Sequence, residues 1–465
     1  MYARVDDRVL ARLSEIVGPN DVLTECEAMT PYSHDETSGL SAWPEVVVKV
    51  ESAAEVAAIM KLASELNVPV TPRAGGQGLS GGAVPLHGGI VLSVERMNRI
   101  LEIDHHNLMV TVEPGVITGD LHRAVEAEGL FYPPDPASLD SCCLGGNVAE
   151  GAGGPRAVKY GTTKDYVCGL EVVMPGGEIL QLGGKRVKDV SGYNLVQLMV
   201  GSEGTLGVVT KIVLRLLPLP KARLDLLVPY DDFRKAADTV AAIIAECIIP
   251  TTIEFMERDT VKACEKLMGK SVPYSGAAAQ LLIQLTGQRS SEVEADMDRV
   301  GELCLEHGAL DVLVASDPTT RDRLWEARRL IIEALKHESP VNHMEDVSVP
   351  RAEISALLEG VHALSEKMGL RALCFGHAGD GNVHVNLLKD DLPLEEWEKR
   401  VDTMQRAIYE LTLSLGGALT GEHGIGATRK GFLEYALGKE QVALMQRIKD
   451  AFDPQHILNP GKVLV

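Results

Sequence analysis

The amino-acid sequence predicts an α+β protein of two domains, and three observations lead to this fold class. Two apolar runs flank a glycine-rich stretch near residue 75, which is typical of two strands joined by a loop. The segment Pro218-Leu-Pro220 separates two regions of different apolar spacing. Beyond it, strand-like and helix-like segments alternate, which predicts an antiparallel sheet covered by helices. The predicted domains are residues 1–218 and 219–411, and residues 412–465 form a C-terminal segment that returns to the first domain.

The composition of the 465 residues excludes several classes of protein. The net charge of −21 argues against a nucleic-acid partner. No stretch reaches ~18 consecutive apolar residues, so no membrane span is expected, and the N-terminus lacks the apolar core of a signal peptide. The eight cysteines are scattered without a C-x-x-C pair. This pattern predicts reduced thiols in a cytoplasmic protein and excludes an iron–sulfur motif within this chain.

The first region begins with β-α-β units. Apolar residues spaced by three and four predict helices over 5–17 and 54–66, and apolar runs predict strands over 46–50 and 68–71. The following segments are a strand over 108–113, a helix over 118–128, a helix-poor stretch over 132–161, a hairpin around Pro175 and a strand over 206–217. The helix-poor stretch is long for a connection, which is typical of a functional loop.

The stretch from Thr71 to Asn98 contains five glycines between residues 75 and 82. Glycine permits positive φ and close backbone approach, so successive N–H groups can converge on an anion. Residues 76–81 fit GxGxxG, but the dinucleotide fingerprint requires a helix that begins inside the motif. Pro85 and the following glycines exclude such a helix. We therefore predict a strand-to-strand loop that holds a cofactor pyrophosphate, with a glycine-rich surface turn as the alternative.

The second region alternates strands and helices, which predicts a sheet with helices on one face. The predicted strands are 224–228, 252–256, 280–286 and 310–315, and the predicted helices are 231–246, 291–307, 320–337, 351–368 and 394–415. A last strand over 371–375 leads to His377.

The strongest chemical signal is Gly376-His-Ala-Gly-Asp-Gly-Asn-Val-His-Val-Asn386. The Gly-Asp-Gly-Asn segment predicts a turn, and the hairpin can bring His377 and His384 together. A second signal is the glycine-flanked pair Glu422-His423. Two histidines and a glutamate suit Zn²⁺, Fe²⁺ or Mn²⁺ with open coordination positions. The alternative is a set of surface or core histidines without a ligand.

An arginine doublet follows on the predicted helix over 320–337. The guanidinium of Arg328 could hold a carboxylate in bidentate fashion. A solvated helix arginine is the alternative, and Arg329 could be the inward residue instead.

Taken together, these motifs resemble those of FAD-linked 2-hydroxy acid dehydrogenases: the glycolate oxidase FAD subunit, D-lactate dehydrogenases and D-2-hydroxyglutarate dehydrogenases. The resemblance runs from about residue 40 to the C-terminus and follows the family order of motifs: PRAGGQGLSGG, FYPPDPAS, GGNVAEGAGG, KYG, GSEGTLGVVT, GHAGDGNVHVN, GEHGIG and LNPGK. It implies an FAD-binding domain of the vanillyl-alcohol-oxidase type over 1–218 and a substrate domain over 219–411.

The resemblance also implies roles for individual residues. The FAD-binding positions would be Arg73, Ala74, Gly75, Gly76, Gln77, Gly78, Leu79, Pro134, Asp135, Ser138, Gly145, Gly146, Asn147, Gly153, Gly154, Glu203, Gly207, Val209 and Asn459. Of these, the family pattern places Glu203, Gly207 and Val209 at the adenine end. His377, His384 and Glu422 match the metal ligands, His423 the catalytic base, Arg328 the substrate-carboxylate arginine and Asn386 a polar group beside the substrate.

Two departures from the family pattern carry information. Members with covalent flavin often have histidine in the first glycine loop, whereas this chain has Gln77, and neither Cys142 nor Cys143 is a clear second attachment point. We therefore expect non-covalent FAD. D-2-hydroxyglutarate dehydrogenases place a lysine before their Asp-Val-Ser segment, where this chain has Met344. This favours a small monocarboxylate such as D-lactate or glycolate.

The expected function is oxidation of a small D-2-hydroxy acid to the 2-oxo acid. A metal would assist deprotonation of the hydroxyl, His423 would act as base, and hydride would pass to flavin N5. Electrons would then leave to an iron–sulfur subunit, an electron-transfer flavoprotein or a quinone. The alternatives are an O₂-using oxidase, a D-2-hydroxyglutarate dehydrogenase, a metal-dependent hydrolase and a non-catalytic subunit that holds FAD.

Overall fold

The computed structural model describes residues 2–315 and 317–464. The chain forms two compact units, which differ in architecture. The first unit comprises Met1–Gly153, Thr162–Pro218 and Glu422–Val465, and the second comprises Gly154–Gly161 and Leu219–Gly421. The domain boundaries predicted from the sequence stay a prediction.

The first unit contains three small sheets. A four-stranded sheet has the order Val22–Leu23, Val46–Lys49, Ile90–Ser93, Val70–Arg73, in which the last three strands are parallel. An antiparallel sheet has the order Ile100–Asp104, Met109–Val112, Val208–Arg215, Val167–Val173, Ile179–Gly183, and Leu217–Pro218 pairs with Leu130–Phe131. The helices are Asp7–Val17, Cys26–Met29, Ala53–Leu66, Thr118–Glu126, Leu144–Glu150, Leu195–Met199, Leu433–Leu437 and Lys439–Phe452.

Local signals explain the predicted helices that the structure confirms. The Asp6 side chain accepts the Val9 N–H and begins the first helix, and Ser52 caps Ala53–Leu66 in the same way. The latter helix ends at Asn67, whose φ of 55° is left-handed. Its apolar face packs on the parallel strands in one core that includes Val48, Ile59 and Leu92.

The stretch over 132–161 differs from the prediction because it contains the helices Leu144–Glu150 and Ala157–Tyr160. The first is hidden in the sequence by two glycines near its start. Gly145 is required there because a Cβ would lie 2.6 Å from Cβ of Pro114. The helix stops at Gly151, which adopts a φ of 71°.

The second unit is built on one seven-stranded antiparallel sheet. Its order is Leu313–Ala315, Ala222–Tyr230, Ala279–Gly287, Thr252–Glu257, Arg371–His377, Asn382–Leu388, Asn342–Ser348. The helices are Ala157–Tyr160, Phe233–Ala245, Arg258–Met268, Ser290–Glu306, Pro318–Arg329, Ile331–Glu338, Ile354–Met368 and Leu394–Ser414.

These helices cover both faces of the sheet, so the prediction of helices on one face is wrong. Ala327 and Ile331 pack with Phe375 in one core cluster. Phe375 and Asp346 both pair with His384 and share its face, so the adjacent residue Glu345 lies on the opposite face. There, Tyr409 of Leu394–Ser414 donates to Glu345. The predicted helix over 320–337 is also divided, because Leu330 has φ −92° and ψ 0° between Pro318–Arg329 and Ile331–Glu338.

The C-terminal tail extends the parallel sheet of the first unit. The Val70 N–H donates to the Ile457 carbonyl at 2.8 Å, and the Asn459 N–H donates to the Val70 carbonyl at 2.7 Å. The tail is therefore held by the strand that leads into the glycine loop. Within the described ranges, none of the helices combines the length and the apolar content that a bilayer crossing requires.

Candidate active site

The glycine loop begins where the strand Val70–Arg73 ends, and the Arg73 side chain folds back under it. Its Nη1 and Nη2 each donate at 2.8 Å to backbone carbonyls, those of His34 and Pro31. A Cβ at Gly76, where φ is 69°, would lie 2.1 Å from Nη2 of Arg73. The buried guanidinium is thus a support for the loop, and glycine is required at position 76. The predicted positions Ala74, Gly75, Gln77, Gly78 and Leu79 lie in the same loop.

Buried polar atoms without a hydrogen-bond partner surround this loop in the described part of the chain. They are Oδ2 of Asp35, Oγ of Ser80 and Oε2 of Glu150. A Cβ on Gly78 would lie 3.7 Å from Asp35 Oδ2 and 3.9 Å from Oε1 of Glu150. Unsatisfied buried polar atoms are costly, and polar groups of a nucleotide cofactor would satisfy them. The loop therefore fits a ligand of the kind predicted.

Residues 138–147 pack against the loop. A Cβ on Gly75 would lie 3.0 Å from the Ser141 carbonyl oxygen and 3.2 Å from Sγ of Cys143. The Ser141 hydroxyl donates to Oε1 of Gln77 at 3.1 Å. Burial raises the pKa of the Cys143 thiol to about 12. A cavity of about 500 Å³ lies beside this contact, and its lining includes Ala74, Gly75, Gly115, Ile117 and Cys143.

Most of the other predicted cofactor-binding residues of the first unit also make hydrogen bonds or close contacts within the protein. The Pro134 carbonyl is bonded to His122 at 2.9 Å, Ser138 accepts the Cys142 N–H at 2.8 Å, and Asn147 donates to Thr118 at 2.7 Å. A Cβ on Gly207 would lie 2.4 Å from Cγ1 of Val172. Space remains at Gly146, where a Cβ would meet nothing within 4 Å. Asp135 follows Pro134 directly, Val209 lies in Val208–Arg215, and Gly154 begins the inserted segment of the second unit.

Glu203 and Asn459 connect three loops of the first unit. Oε1 of Glu203 accepts the Ile425 N–H at 2.9 Å, and Oε2 accepts the Gly426 N–H at 2.6 Å. Nδ2 of Asn459 donates to the Gly82 carbonyl at 3.0 Å and to the Glu203 carbonyl at 2.8 Å. The glycine loop, the segment around Glu203 and the loop after His423 are therefore tied together.

Glu422 and His423 are part of this arrangement. Nε2 of His423 lies 4.0 Å from Oε1 of Glu422, and about a tenth of each side chain is exposed. A Cβ on Gly153 would lie 3.2 Å from Oε2 of Glu422. The next residue, Gly424, has φ 80°, and a Cβ there would lie 2.2 Å from Oε2 of Glu150. The backbone beside the predicted base is thus packed against a carboxyl group.

Two carboxyl groups of this cluster have raised pKa values. For Glu150 the main cause is burial, and the charges of Glu203 and Asp35 add to it. Burial also raises the pKa of Glu203, although the amides of Ile425 and Gly426 oppose the change.

In the second unit, the predicted hairpin of Arg371–His377 and Asn382–Leu388 is confirmed. The rings of His377 and His384 lie 5.4 Å apart, edge to face, and both side chains are buried. Gly381 closes the turn with φ 88°, and a Cβ there would lie 1.9 Å from the Val349 carbonyl oxygen. The two rings therefore lie on one face of the hairpin, since His377 pairs with Asn382, two residues before His384.

Arg328 is the inward member of the arginine doublet. Its Nε and Nη2 lie 2.6 and 2.5 Å from Oε2 of Glu254, and the guanidinium lies over the Phe375 ring. Arg329 is exposed and donates to the Asp322 carbonyl. The second oxygen of Glu254 lies 2.7 Å from Nδ1 of His377. Glu254 therefore joins a predicted substrate residue to a predicted metal ligand.

The pKa of Glu254 is lowered although the residue is fully buried. Burial is the largest influence and opposes ionisation, but Arg328 and His377 together outweigh it.

Asp346 organises the other side of the hairpin. It lies opposite His384 in the sheet, and Nδ1 of His384 is 3.7 Å from Oδ1. Asp346 accepts from Asn382 at 2.6 Å, from the Thr420 hydroxyl at 2.7 Å and from the Gly421 N–H at 3.1 Å. Gly421 immediately precedes Glu422 in the chain. Asp346 therefore holds the last residues of the second unit, Thr420 and Gly421.

Asn386 and Met344 are direct cross-strand neighbours. Asn386 is buried, and its Nδ2 lies 3.5 Å from the Leu373 carbonyl. Side chains of paired residues share one face of a sheet, so Met344 lies on the face that carries His384 and Asn386. Met344 therefore gives this face an uncharged thioether.

Sequence reasoning missed Glu254 and Asp346. Each is a carboxylate in a buried strand, and a charge that is fully buried requires partners. That signal was present in both strands, but it does not name the partners, which are distant in sequence.

The fold is that of a vanillyl-alcohol-oxidase-type flavoprotein. The structure of p-cresol methylhydroxylase superposes with a TM-score of 0.80, covering 98% of this chain and 96% of that chain at 19% identity. Residues 44–183 match the family described as "FAD binding domain", and residues 219–463 match "FAD linked oxidases, C-terminal domain".

The chain belongs to the FAD-linked oxidase family and is an oxidoreductase with an FAD-binding domain. The glycolate oxidase subunit GlcD of Bacillus subtilis is 42% identical over 455 residues, which cover 98% of this chain and 96% of the relative. A D-lactate dehydrogenase of Anaerostipes hadrus is 39% identical over 468 residues, covering 99% and 98%. The resemblance inferred from the motifs is confirmed.

Proposed function

We propose that this protein is an FAD-dependent dehydrogenase that oxidises a small D-2-hydroxy acid, D-lactate or glycolate, to the 2-oxo acid. The observation that carries the proposal is the pair His377 and His384 on one buried hairpin, in a chain of the FAD-linked oxidase family. Relatives named for glycolate and D-lactate support this substrate class. Met344 supports a monocarboxylate, since it gives no charge to a second carboxylate.

The residues of this chain divide the work as follows. Arg328 binds the substrate carboxylate and so orients the carbon that is oxidised. His377, His384 and Glu422 would hold a divalent ion, which lowers the pKa of the substrate hydroxyl when bound. His423 accepts the hydroxyl proton, and Asn386 contributes a polar group beside the substrate.

FAD supplies the hydride acceptor when bound, at N5 of its ring system. The glycine loop from Arg73 to Leu79 would hold its phosphates, and Asn459 and Glu203 keep that loop in position. We propose non-covalent binding, because Gln77 replaces a histidine and the Cys143 thiol is protonated, with its pKa raised to about 12 by burial. Acid precipitation should release free flavin into the supernatant.

The central test is anaerobic reduction of the bound flavin. We expect D-lactate and glycolate to bleach its absorption, and D-2-hydroxyglutarate, D-malate and L-lactate to do so at least 10-fold more slowly. His423→Ala should bind FAD and metal but bleach ~10²-fold more slowly, the scale of a lost general base. Full bleaching rates in His423→Ala, or no bleaching with any 2-hydroxy acid, would reject the proposal.

The electrons leave through a protein or quinone acceptor in this proposal. H₂O₂ release under air at the rate of substrate oxidation would show an oxidase instead. A partner with an iron–sulfur centre or a second flavin would support dehydrogenase turnover when it is added to the reduced enzyme.

A further inference from the structure

Glu254 lies in the middle of the sheet, on the strand Thr252–Glu257, with no exposed surface. It is opposite His377 in the antiparallel register. The next residue on the same face, Met256, belongs to an apolar core cluster with Leu282 and Phe375. A carboxylate in such surroundings is strongly disfavoured unless each of its oxygens is satisfied.

Each oxygen of Glu254 has its own partner. Oε1 lies 2.7 Å from Nδ1 of His377, and Oε2 accepts from Nε and Nη2 of Arg328. An ionised carboxylate can only accept hydrogen bonds, so Nδ1 carries the imidazole proton and Nε2 carries the lone pair that a metal ion requires. The same carboxylate orients the guanidinium, because Nε and Nη2 of Arg328 both donate to Oε2.

We propose that Glu254 is a positioning residue that holds the metal-binding imidazole of His377 and the carboxylate-binding guanidinium of Arg328 in a fixed mutual arrangement. The inference rests on the proposed function, in which the same substrate is bound at both groups. A 2-hydroxy acid carries its hydroxyl and carboxylate on adjacent carbons, so the two groups that recognise them must keep a fixed spacing. One buried carboxylate between them supplies that constraint.

The chain offers a matched control on the same strand. Glu257 is also buried and lies 2.9 Å from a histidine, His362, through its Oε1. Its other oxygen accepts the Cys374 N–H at 2.9 Å. Because positions 254 and 257 are three apart, their side chains lie on opposite faces of the strand. Glu257→Gln therefore disturbs a buried glutamate and its partly exposed histidine partner on the face opposite His377. Because Glu257, His362 and Cys374 are close enough to hold an ion themselves, KM for D-lactate is the readout of this control.

The experiment compares Glu254→Gln, Glu254→Asp and Glu257→Gln in the full-length flavoprotein. If the glutamine oxygen accepts from Arg328, its NH₂ group faces Nδ1 of His377 and favours the tautomer with the proton on Nε2, which cannot bind a metal ion. We expect Glu254→Gln to weaken Zn²⁺ and Mn²⁺ binding, measured by chelator competition without substrate, by 10- to 100-fold, as is common for residues that orient metal ligands. We expect KM for D-lactate to rise about 10-fold or more, and Glu254→Asp, which keeps the charge, to recover part of both losses.

Glu257→Gln should leave KM for D-lactate within about 2-fold of the wild type. Equal effects of Glu254→Gln and Glu257→Gln on this KM would overturn the inference, as would wild-type metal affinity in folded Glu254→Gln. If Glu254→Gln does not fold, Glu254→Asp decides: unchanged metal affinity and KM despite its shorter side chain would overturn the inference. A wild-type protein that binds neither metal would reject the metal-assisted function together with this inference, whereas normal wild-type binding with unchanged variants rejects the inference alone.

Discussion

Glu203 in the first unit and Glu254 in the second are both buried glutamates, but their environments have opposite effects on ionisation. Glu203 is bonded to two backbone amides, and burial raises its pKa. Glu254 is bonded to a guanidinium and an imidazole, and its pKa is lowered despite complete burial. The comparison teaches that burial does not determine charge. At Glu254 the charges and hydrogen bonds of Arg328 and His377 outweigh burial, whereas at Glu203 two amides and the charges of Arg429 and Lys462 do not.

The first prediction removes Arg328, the cation that is bonded to Glu254. Arg328→Met leaves Glu254 as a buried carboxylate with only His377, and breaking a buried pair from one side costs about 3–5 kcal/mol. We expect a large fall in the urea midpoint without substrate. Arg329→Met is the matched control, since its exposed side chain should cost less than about 0.5 kcal/mol.

A double-mutant cycle of Arg328 and Glu254 tests whether the two side chains stabilise the fold as a pair. Arg328→Met combined with Glu254→Gln should lose less stability than the sum of the two single losses, because the charge that was left unpaired is gone. Strict additivity, or equal losses for Arg328→Met and Arg329→Met, would show that the pair does not stabilise the fold in this way.

The second prediction removes the carboxylate that is bonded to amides. Glu203→Ala leaves the N–H groups of Ile425 and Gly426 without their acceptor, and each unsatisfied buried donor costs about 1–3 kcal/mol. We expect a loss of about 2 kcal/mol and faster hydrogen exchange at these two amides. Glu178→Ala, at an exposed position, should change neither. Unchanged exchange at 425 and 426 would contradict the tethering role.

The sequence predicts those parts of the fold whose causes are local. The cap at Ser52, the left-handed stop at Asn67 and the apolar spacing between them identify the helix Ala53–Leu66 without any distant contact. The loop after Arg73 is recognisable because Pro85 excludes a helix. The helix Leu144–Glu150 could not be predicted, since its glycines are explained only by contact with Pro114, thirty-one positions before Gly145.

In the candidate site too, contacts between residues close in sequence could be predicted and contacts between distant residues could not. His377 and His384 are seven residues apart, so one predicted turn is sufficient to bring them together. Glu254 is 123 residues from His377 and 74 from Arg328. Its partners follow from strand order, which a single sequence does not specify, because any of several pairings would bury the same apolar faces. The proximity of His377 and His384 could therefore be predicted from the sequence, and the carboxylate bonded to His377 and Arg328 could not.

The last prediction concerns Glu150, the neighbour of Glu203, and it extends the comparison to pH. Its pKa is raised by burial and by the charges of Glu203 and Asp35. A raised folded-state pKa gives stability that is present below the unfolded value of 4.5 and is lost as pH rises above it. Glu150→Gln does not titrate, so its stability relative to the wild type should increase from pH 5 to pH 8. A single titrating carboxyl group can change the free energy of unfolding by at most about 1.4 kcal/mol per pH unit.

Urea midpoints at each pH, in the same flavin state, measure the difference. Glu178→Gln is the control for removing one exposed negative charge from a chain of net charge −21. If the advantage of Glu150→Gln is constant or decreases with pH, the carboxyl group is already ionised at neutral pH, and the effect of burial seen at Glu203 does not extend to Glu150.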